Sequence, residues 1–567
     1  MCGINGITRA NQFDRIEKMM SYTYRRGPDG KDVYSNNDIT FGHNLLAIFA
    51  DVESSKQPYL YKDSVLVFNG AIFNYKELDE WNCQSGTDTE VLIKGLYHYG
   101  IEFMNKCEGM WAFGFYKNGT TTICRDFFGI KPLYYRHSGE ELIFSSSIHA
   151  LEVKNKKLDL FALSLFNTFG YVAGYLTLIE GCYKLCPGEY LVYSSEGMHS
   201  GNLWSRKKFT KNKYFPNCFN IKEFKEKLSS SIEKSYVGIR QRGIFLSGGL
   251  DSTSIAHYLG EKNTFTNCYE SLSEEVNDDH KVAFHTALDY KFNHEIVNIT
   301  PSNFYDSIEE STQALELPVF NKSTPAYFYM NKFMRDKGTI VTYSGDGGDE
   351  MYTGYNIHSK YGNYNDPIED HFHTVGWRKG KSLKLSDDRY YLDARRYQEY
   401  MYNWFPAAVF GDDHLNNCLF VEMLTRVPED FLTRNDKFGS YFGMEGRFPL
   451  LNLDYYMYIM SISSDIKMKN LDENNFKPGE YKFLAREGLK DILPKRVIEK
   501  GKSGWTIPDA EWRKQEDKFI MKMNKIINEP LNNKLDTFID WQASNGPKTF
   551  YAASFFKKWL KNYEISL

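Results

Sequence analysis

A chain of 567 residues, 42% hydrophobic and 25% charged, has the length for about two to four globular domains of ordinary composition. Its net charge of −4 offers no basic footprint for nucleic acid, and no apolar run reaches the ~20 residues that span a bilayer. Nine scattered cysteines, and an N-terminus without the regions of a signal peptide, point to a reducing, cytoplasmic setting with free thiols.

The chain opens MCGINGITRA. A cysteine at a frayed terminus has no packing role. With Met1 removed, Cys2 would carry a thiol and a free α-amino group on one carbon. An amine of pKa about 8 can take the thiol's proton, so one residue supplies nucleophile and base. Up to about residue 205, short strands alternate with turns. ITFGHNLLAIF, SVLVFNGAIF, MWAFGFY and TTTICRD are rich in β-branched and aromatic residues, and TEVLIKGLYHYG has apolar residues at helical spacing. Cys182 and Cys186 in GCYKLCPG lack the second pair that a zinc site needs, and read as buried structural thiols.

The polar stretch SRKKFTKNKYFPN reads as a linker. The next segment, NIKEFKEKLSSSIEKSYVGIR, places Ile221, Phe224, Leu228, Ile232 and Tyr236 on one helical stripe. Then comes GIFLSGGLDSTS: a strand ending at Ser247, two glycines, and a helix from about Ser252. Gly248 and Gly249 let the backbone approach a ligand, and successive N–H groups with the helix N-terminus form an anion nest. Asp251 stands where a carboxylate can hold a cation on phosphates. A second turn, SGDGGDE, offers Ser344, Gly345, Asp346, Asp349 and Glu350. Three carboxylates in so short a stretch repel one another unless a cation or an ammonium holds them. Alone they would read as a solvated acidic loop. Beside a phosphate loop, metal binding and acid–base roles come forward.

The form SGGxDS resembles the loop of ATP pyrophosphatases. With the N-terminal cysteine and the second glycine turn, the whole chain resembles the glutamine-hydrolysing asparagine synthetases. The first half matches in MCGI, RRGPDG, FNGAIFNYKEL, SGTDTEVL and RDFFGIKPLYY; the second in SGGLDS, SGDGGDEMYTGY, VPEDFLTRND, GMEGRFPLL and KGKSGWTIP. The resemblance implies two domains. Residues 2–205 would form an α+β, four-layer αββα domain of the Ntn-hydrolase, class II glutamine amidotransferase type. After a linker at 206–219, residues 220–567 would form an α/β ATP-pyrophosphatase domain with a helical C-terminal part. Cys2 would attack the glutamine amide. Asn69 and the Gly70 N–H would make the oxyanion hole, Asp88 would hold the α-amino group, and Arg26, which matches the second arginine of the family's RxRGPDG stretch, would also bind glutamine. Leu246, Ser247, Gly248, Gly249, Asp251, Ser252, Ser344 and Gly345 match ATP-binding positions, and Asp251 and Asp349 match Mg²⁺ ligands. Asp346 matches a proton-transfer position, and Lys502 the lysine that meets the departing pyrophosphate. The implied reaction adenylates a carboxylate, aspartate by default, and ammonia displaces AMP. The implied partners are glutamine or ammonia and a small carboxylate, with a homodimer as the candidate assembly.

The match departs in two places. Leu45 stands where relatives carry an arginine on the α-carboxylate of glutamine, and Ala71 where they carry a glutamate on its α-amino group. Such an arginine contact is worth about 1.5–3 kcal/mol. A weak or retuned glutaminase, amidation of another carboxylate such as a sugar acid, or an adenylating ring-forming synthetase are the alternatives. Cys2 argues against the ring-former, and the intact SGGLDS, Asp349 and Lys502 against a non-catalytic protein.

Overall fold

The computed structural model describes residues 1–206, 219–271, 278–319, 321–376, 383–406, 413–468, 481–501, 507–508, 511–512, 517–531, 534–541 and 550–567. Twelve strands run through the first part: β1 (Gly3–Ile7), β2 (Gly30–Ser35), β3 (Thr40–Leu45), β4 (Tyr59–Tyr61), β5 (Ser64–Ile72), β6 (Gly109–Lys117), β7 (Thr120–Arg125), β8 (Tyr134–Ser138), β9 (Glu141–Ser145), β10 (Tyr183–Lys184), β11 (Glu189–Ser194) and β12 (Gly197–Asn202). They make two antiparallel sheets, in the orders β10-β8-β9-β1-β3-β2 and β12-β11-β7-β6-β5-β4. Strand β5 is buried on both faces, and its period of two explains why. Val65 and Val67 join Ile4, Phe41, Ile123 and Phe144 in one core. Leu66 and Phe68 join Val91, Leu92 and Leu96 of the helix Asp88–Tyr99 in the other. Two sheets packed on each other with helices outside give the αββα layers expected.

The second part is built on five parallel strands. β13 (Arg242–Phe245), β14 (Asn263–Tyr269), β15 (Asn293–Ile299), β16 (Val341–Tyr343) and the strand Glu445–Arg447 stand in the order β15-β14-β13-β16-Glu445–Arg447. Chain order runs outward from β13 to β15, then returns to the other side of β13 with β16. The switch point therefore lies between β13 and β16, and ligands bind outside the strand ends at such a point. Both glycine turns emerge there. Helices fill most of the remaining described chain.

Local readings fared unevenly. Phe224, Leu228 and Ile232 are buried, but Ile221 is 37% and Tyr236 42% exposed, and the helix stops at Lys234. The Arg242 guanidinium lies 3.9 Å over the Tyr236 ring, so that aromatic residue caps a surface cation instead of entering the core. The helix after β13 starts at Leu250, two residues before its expected start. Cys182 and Cys186 are buried and free. The first part's last described element ends at Arg206 and the next helix begins at Ile221; residues 207–218 between them lie outside the described residues.

The two parts are bound by buried charge. Arg26 Nη1 meets Asp436 Oδ2 at 2.7 Å with both side chains buried, and Lys184 pairs with Glu429. The chain's end returns to the first part, where Leu158 N donates to Ser566 O at 2.8 Å.

Candidate active sites

Cys2 precedes β1, and its sulfur lies 3.5 Å from Leu46 N, just past β3. Burial raises the thiol's pKa, and the terminal amine opposes that rise. The Met1 side chain and amine are enclosed at 1% exposure, with the amine 3.9 Å from Glu445 Oε2. Burial lowers that amine's pKa to about 5. Arg26 Nε donates to Cys2 O at 3.0 Å, and its other nitrogens donate to Asp436 and Ser440. The structure thus gives Arg26 a task the motif did not suggest: it holds the Cys2 backbone and ties the two parts together.

Asn69 sits in β5 with neither side-chain polar atom hydrogen-bonded, although it is wholly buried. A buried amide without partners is costly unless a ligand completes it. Gly70 follows, and a Cβ there would come within 2.2 Å of Met110 O, so the close approach of β5 and β6 requires glycine. Asp88 opens its helix and accepts from Ile72 N at 2.9 Å. Burial raises its pKa to about 7; the Ile72 N–H works the other way. Leu45 and Ala71 are both buried. Two of the buried cations whose electrostatics reach this region, Lys131 and Arg447, each keep an atom without a hydrogen-bond partner, Nζ and Nη2.

The second site is a cavity of about 360 Å³ at the switch point. Ser247, Gly249, Asp251 and Ser252 line it from the first turn, and Ser344, Gly345, Asp346 and Asp349 from the second. Leu246 is buried at the end of β13, where its carbonyl accepts from Thr266 Oγ1. Gly248 takes a positive φ of 68°, which turns the loop. Its Cβ would strike Ala283 N at 2.7 Å, so it supports the loop from behind.

Asp251 and Asp349 converge on one ammonium, that of Lys482, with Asp349 Oδ1 at 2.7 Å. Burial alone would lower the lysine's pKa, but the two carboxylates outweigh it and raise it. The three acidic groups of the second turn have different partners but still act on one another, since, on top of burial, Asp349 raises the pKa of both Asp346 and Glu350. Asp349 faces Lys482, Asp346 Oδ2 accepts from Ser344 Oγ at 2.9 Å, and Glu350 is buried. Burial raises the Glu350 pKa to about 8, helped by Glu422 and Asp349. Burial raises Asp346 as well, against its hydrogen bond from Ser344.

Lys502 lies outside the described residues. Lys500, two residues earlier, lines the cavity and reaches Ser247 O at 3.3 Å.

Residues 1–204 match the family model of a glutamine amidotransferase domain, and residues 223–544 that of asparagine synthase. The chain belongs to the asparagine synthase family. It is 26% identical to asparagine synthetase [glutamine-hydrolyzing] 1 of Bacillus subtilis, over 91% of this chain and 88% of that protein. It is 23% identical to asparagine synthetase [glutamine-hydrolyzing] 3 of the same organism, over the whole of both. Amidase chry2 of Gibberella zeae is 22% identical over 94% of this chain and 90% of its own length. This asparagine synthase family member is therefore a glutamine-hydrolysing ligase of class EC 6.3.5.-, with an N-terminal amidotransferase domain. Among the described residues no helix is long and apolar enough to cross a membrane.

The sequence motifs gave no role to Lys482, Arg426 or Arg434 of the synthase cavity, although VPEDFLTRND contains Arg434. Lys482 lies in a stretch with no clear periodicity, 231 residues from Asp251. Arg426 and Arg434 line the cavity, 5.0 and 5.7 Å from the Phe431 ring. Arg426 Nη1 is held by Glu422 at 2.8 Å and Arg434 Nε by Asp430 at 3.0 Å. The backbone over Val427–Leu432 is π-helical, which shifts the register between the two arginines.

Proposed function

We propose that the chain transfers the amide nitrogen of glutamine to a carboxylate activated with ATP, releasing AMP and pyrophosphate, with aspartate as the default acceptor. The observation that carries this reading is the meeting of Asp251 and Asp349 on Lys482 inside the switch-point cavity. Two carboxylates that share one cation are set for a second. Their oxygens are the hard donors that Mg²⁺ takes, so Asp251 and Asp349 would hold it, and it would supply charge neutralisation on the phosphates. The Ser247–Gly249 loop would then cradle the phosphate chain, with the Ser247 and Gly249 N–H groups exchanging their bonds to Ser252 Oγ and Ser247 Oγ for phosphate oxygens, and Lys482 and Lys500 would place positive charge where the leaving group departs. Asp346, its pKa raised by burial, is suited to take a proton from the incoming ammonia. Arg426 and Arg434 stand at the acceptor end.

In the amidotransferase domain Cys2 attacks the amide carbon, its own amine takes the thiol proton, and the Asn69 amide with the Gly70 N–H receives the developing oxyanion. This chemistry requires Met1 to be removed, because an acylated nitrogen cannot take the proton. Asp88 anchors the substrate ammonium. Buried Leu45 and Ala71 favour a second reading of the donor site alone, in which free glutamine binds weakly and another amide or free ammonia is the better donor.

The decisive experiment is mass spectrometry of products after incubation with ATP, Mg²⁺, glutamine or ammonia, and a panel of carboxylates. AMP, pyrophosphate and one amide are expected. ADP and phosphate would refute the adenylation reading. In the same assay Cys2→Ala should abolish glutamine-driven synthesis and spare ammonia-driven synthesis; equal loss of both would argue against separate sites.

A further inference from the structure

Away from both sites, three side chains of different chemistry converge. His414 and Cys418 lie one turn apart on the helix His414–Arg426, and Asp370 faces them from the helix Pro367–Val375. Their ligand atoms form a closed triangle: His414 Nε2 to Asp370 Oδ2 is 2.8 Å, Cys418 Sγ to His414 Nε2 is 3.4 Å, and Cys418 Sγ to Asp370 Oδ2 is 3.8 Å. All three atoms lie within 4.8 Å of one another.

Tetrahedral zinc, with bonds of about 2.0–2.3 Å, sets neighbouring ligand atoms roughly 3.3–3.8 Å apart. Two edges of the triangle already have that length, and the third opens by about 0.6 Å when a metal replaces the hydrogen bond. A Cys–His–Asp catalytic relay would use both imidazole nitrogens, one for each partner. Here sulfur and carboxylate both face Nε2, which suits a shared ion and not a relay. Asp370 is oriented from behind, with Gly362 N donating to Oδ2 at 2.5 Å and Thr374 Oγ1 to Oδ1 at 3.3 Å, the outer contacts that fix a metal ligand. Asp370 and Cys418 are buried and the His414 side chain is 29% exposed, so an ion has a way in beside the imidazole.

We propose that Asp370, His414 and Cys418 bind one zinc(II) ion, with water as the fourth ligand. The mixed thiolate, imidazole and carboxylate set selects zinc over magnesium. Binding replaces the Cys418 thiol proton, which passes to solvent. The ion would clamp the two helices together. Cys418, Glu422 and Arg426 follow at intervals of four along one helix, and Arg426 lines the synthase cavity. The clamp therefore braces the acceptor end of that cavity from behind.

The test uses the full-length protein, stripped with a chelator and titrated with zinc(II) alone. Bound metal is counted by elemental mass spectrometry, and affinity is measured against a chromophoric chelator. One equivalent of zinc is expected, together with a raised Tm and, with cobalt(II), a thiolate charge-transfer band. His414→Ala should weaken binding by about 100-fold or more, and Cys418→Ser should remove the charge-transfer band. Partly exposed His414 can be replaced without opening the core, so a folded His414→Gln, checked by circular dichroism, keeps the test valid if Cys418→Ser misfolds. Asp251→Asn should keep the zinc. No bound zinc in the wild type, or undiminished zinc in folded His414→Gln, would overturn the proposal.

Discussion

Single residues in this molecule have their chemistry set by burial. Asp88 is the clearest case, with a pKa raised to about 7 from 3.8. A raised carboxyl pKa means that the folded chain binds the proton more tightly than the unfolded chain. The resulting penalty is absent below pH 3.8, grows as pH rises, and is complete above about 7. Asp88→Asn should therefore stabilise the protein at pH 8, with a ceiling of about 4 kcal/mol, and make no difference near pH 4. Denaturant melts at the two pH values check this. In function the sign reverses, because only the ionised carboxylate holds an ammonium. The KM for glutamine should fall as pH rises from 6 to 8 and level off above about 7. A flat KM would show that Asp88 does not meet the substrate. Leu45→Arg should lower that KM by about ten- to a hundredfold, the worth of one guanidinium–carboxylate contact. No change would mean that another cation already serves, with Lys131 and Arg447 first to examine. These residues were legible in the sequence because each belongs to a motif whose chemistry demands its type. Lys482 was not, since a lone lysine outside any pattern gives no sign that folding will carry it to two carboxylates far away in the chain.

Elements place those residues through close approaches that only small side chains permit. Gly354 follows the short helix Gly348–Tyr352, and a Cβ there would lie 2.0 Å from Asp349 Oδ1 and 2.5 Å from Lys482 Cε. Gly354→Ala must push the carboxylate and the ammonium apart. Pyrophosphate release should fall by about 100-fold with either nitrogen donor, while glutamine hydrolysis continues. Assaying both reactions on one preparation separates this from unfolding. The strands were readable from their β-branched and aromatic runs, and both glycine turns from their loop residues. Helix limits were less so. Tyr236 fits the apolar stripe by spacing, yet the helix ends before it and a cation claims its ring. The π-helical turn left no mark in the sequence, because a one-residue change of winding follows from packing and not from local propensity.

At the scale of the whole molecule, one of the contacts that join the two halves also supports the nucleophile. Arg26 holds Asp436 with two nitrogens and the Cys2 carbonyl with a third. Asp436→Ala would leave a buried guanidinium without its counter-ion, at a cost of about 3–5 kcal/mol. Tm should fall, and glutamine hydrolysis should run ahead of amide formation because the joint between the halves loosens at Cys2. Equal amounts of glutamate and amide in the variant would show that the pair is structural only. The pairing could not be read from the motifs: RRGPDG holds Arg26 and VPEDFLTRND holds Asp436, but nothing in either says that residues 410 positions apart meet.

The enclosure of Met1 sets an order of events. An aminopeptidase needs an extended, accessible terminus, and Met1 is shut between the halves beside Glu445. If the Cys2 amine is the base, as proposed, Met1 excision is expected before the second half docks, and N-terminal mass spectrometry of active and inactive fractions checks this. A chain that closed with Met1 in place would keep the Cys2 nitrogen acylated and is expected to show no glutamine-driven synthesis. On that reading the active fraction of a preparation would depend on trimming before docking. Fast overproduction or a short supply of the peptidase is then expected to leave a folded population that retains Met1 and draws no nitrogen from glutamine.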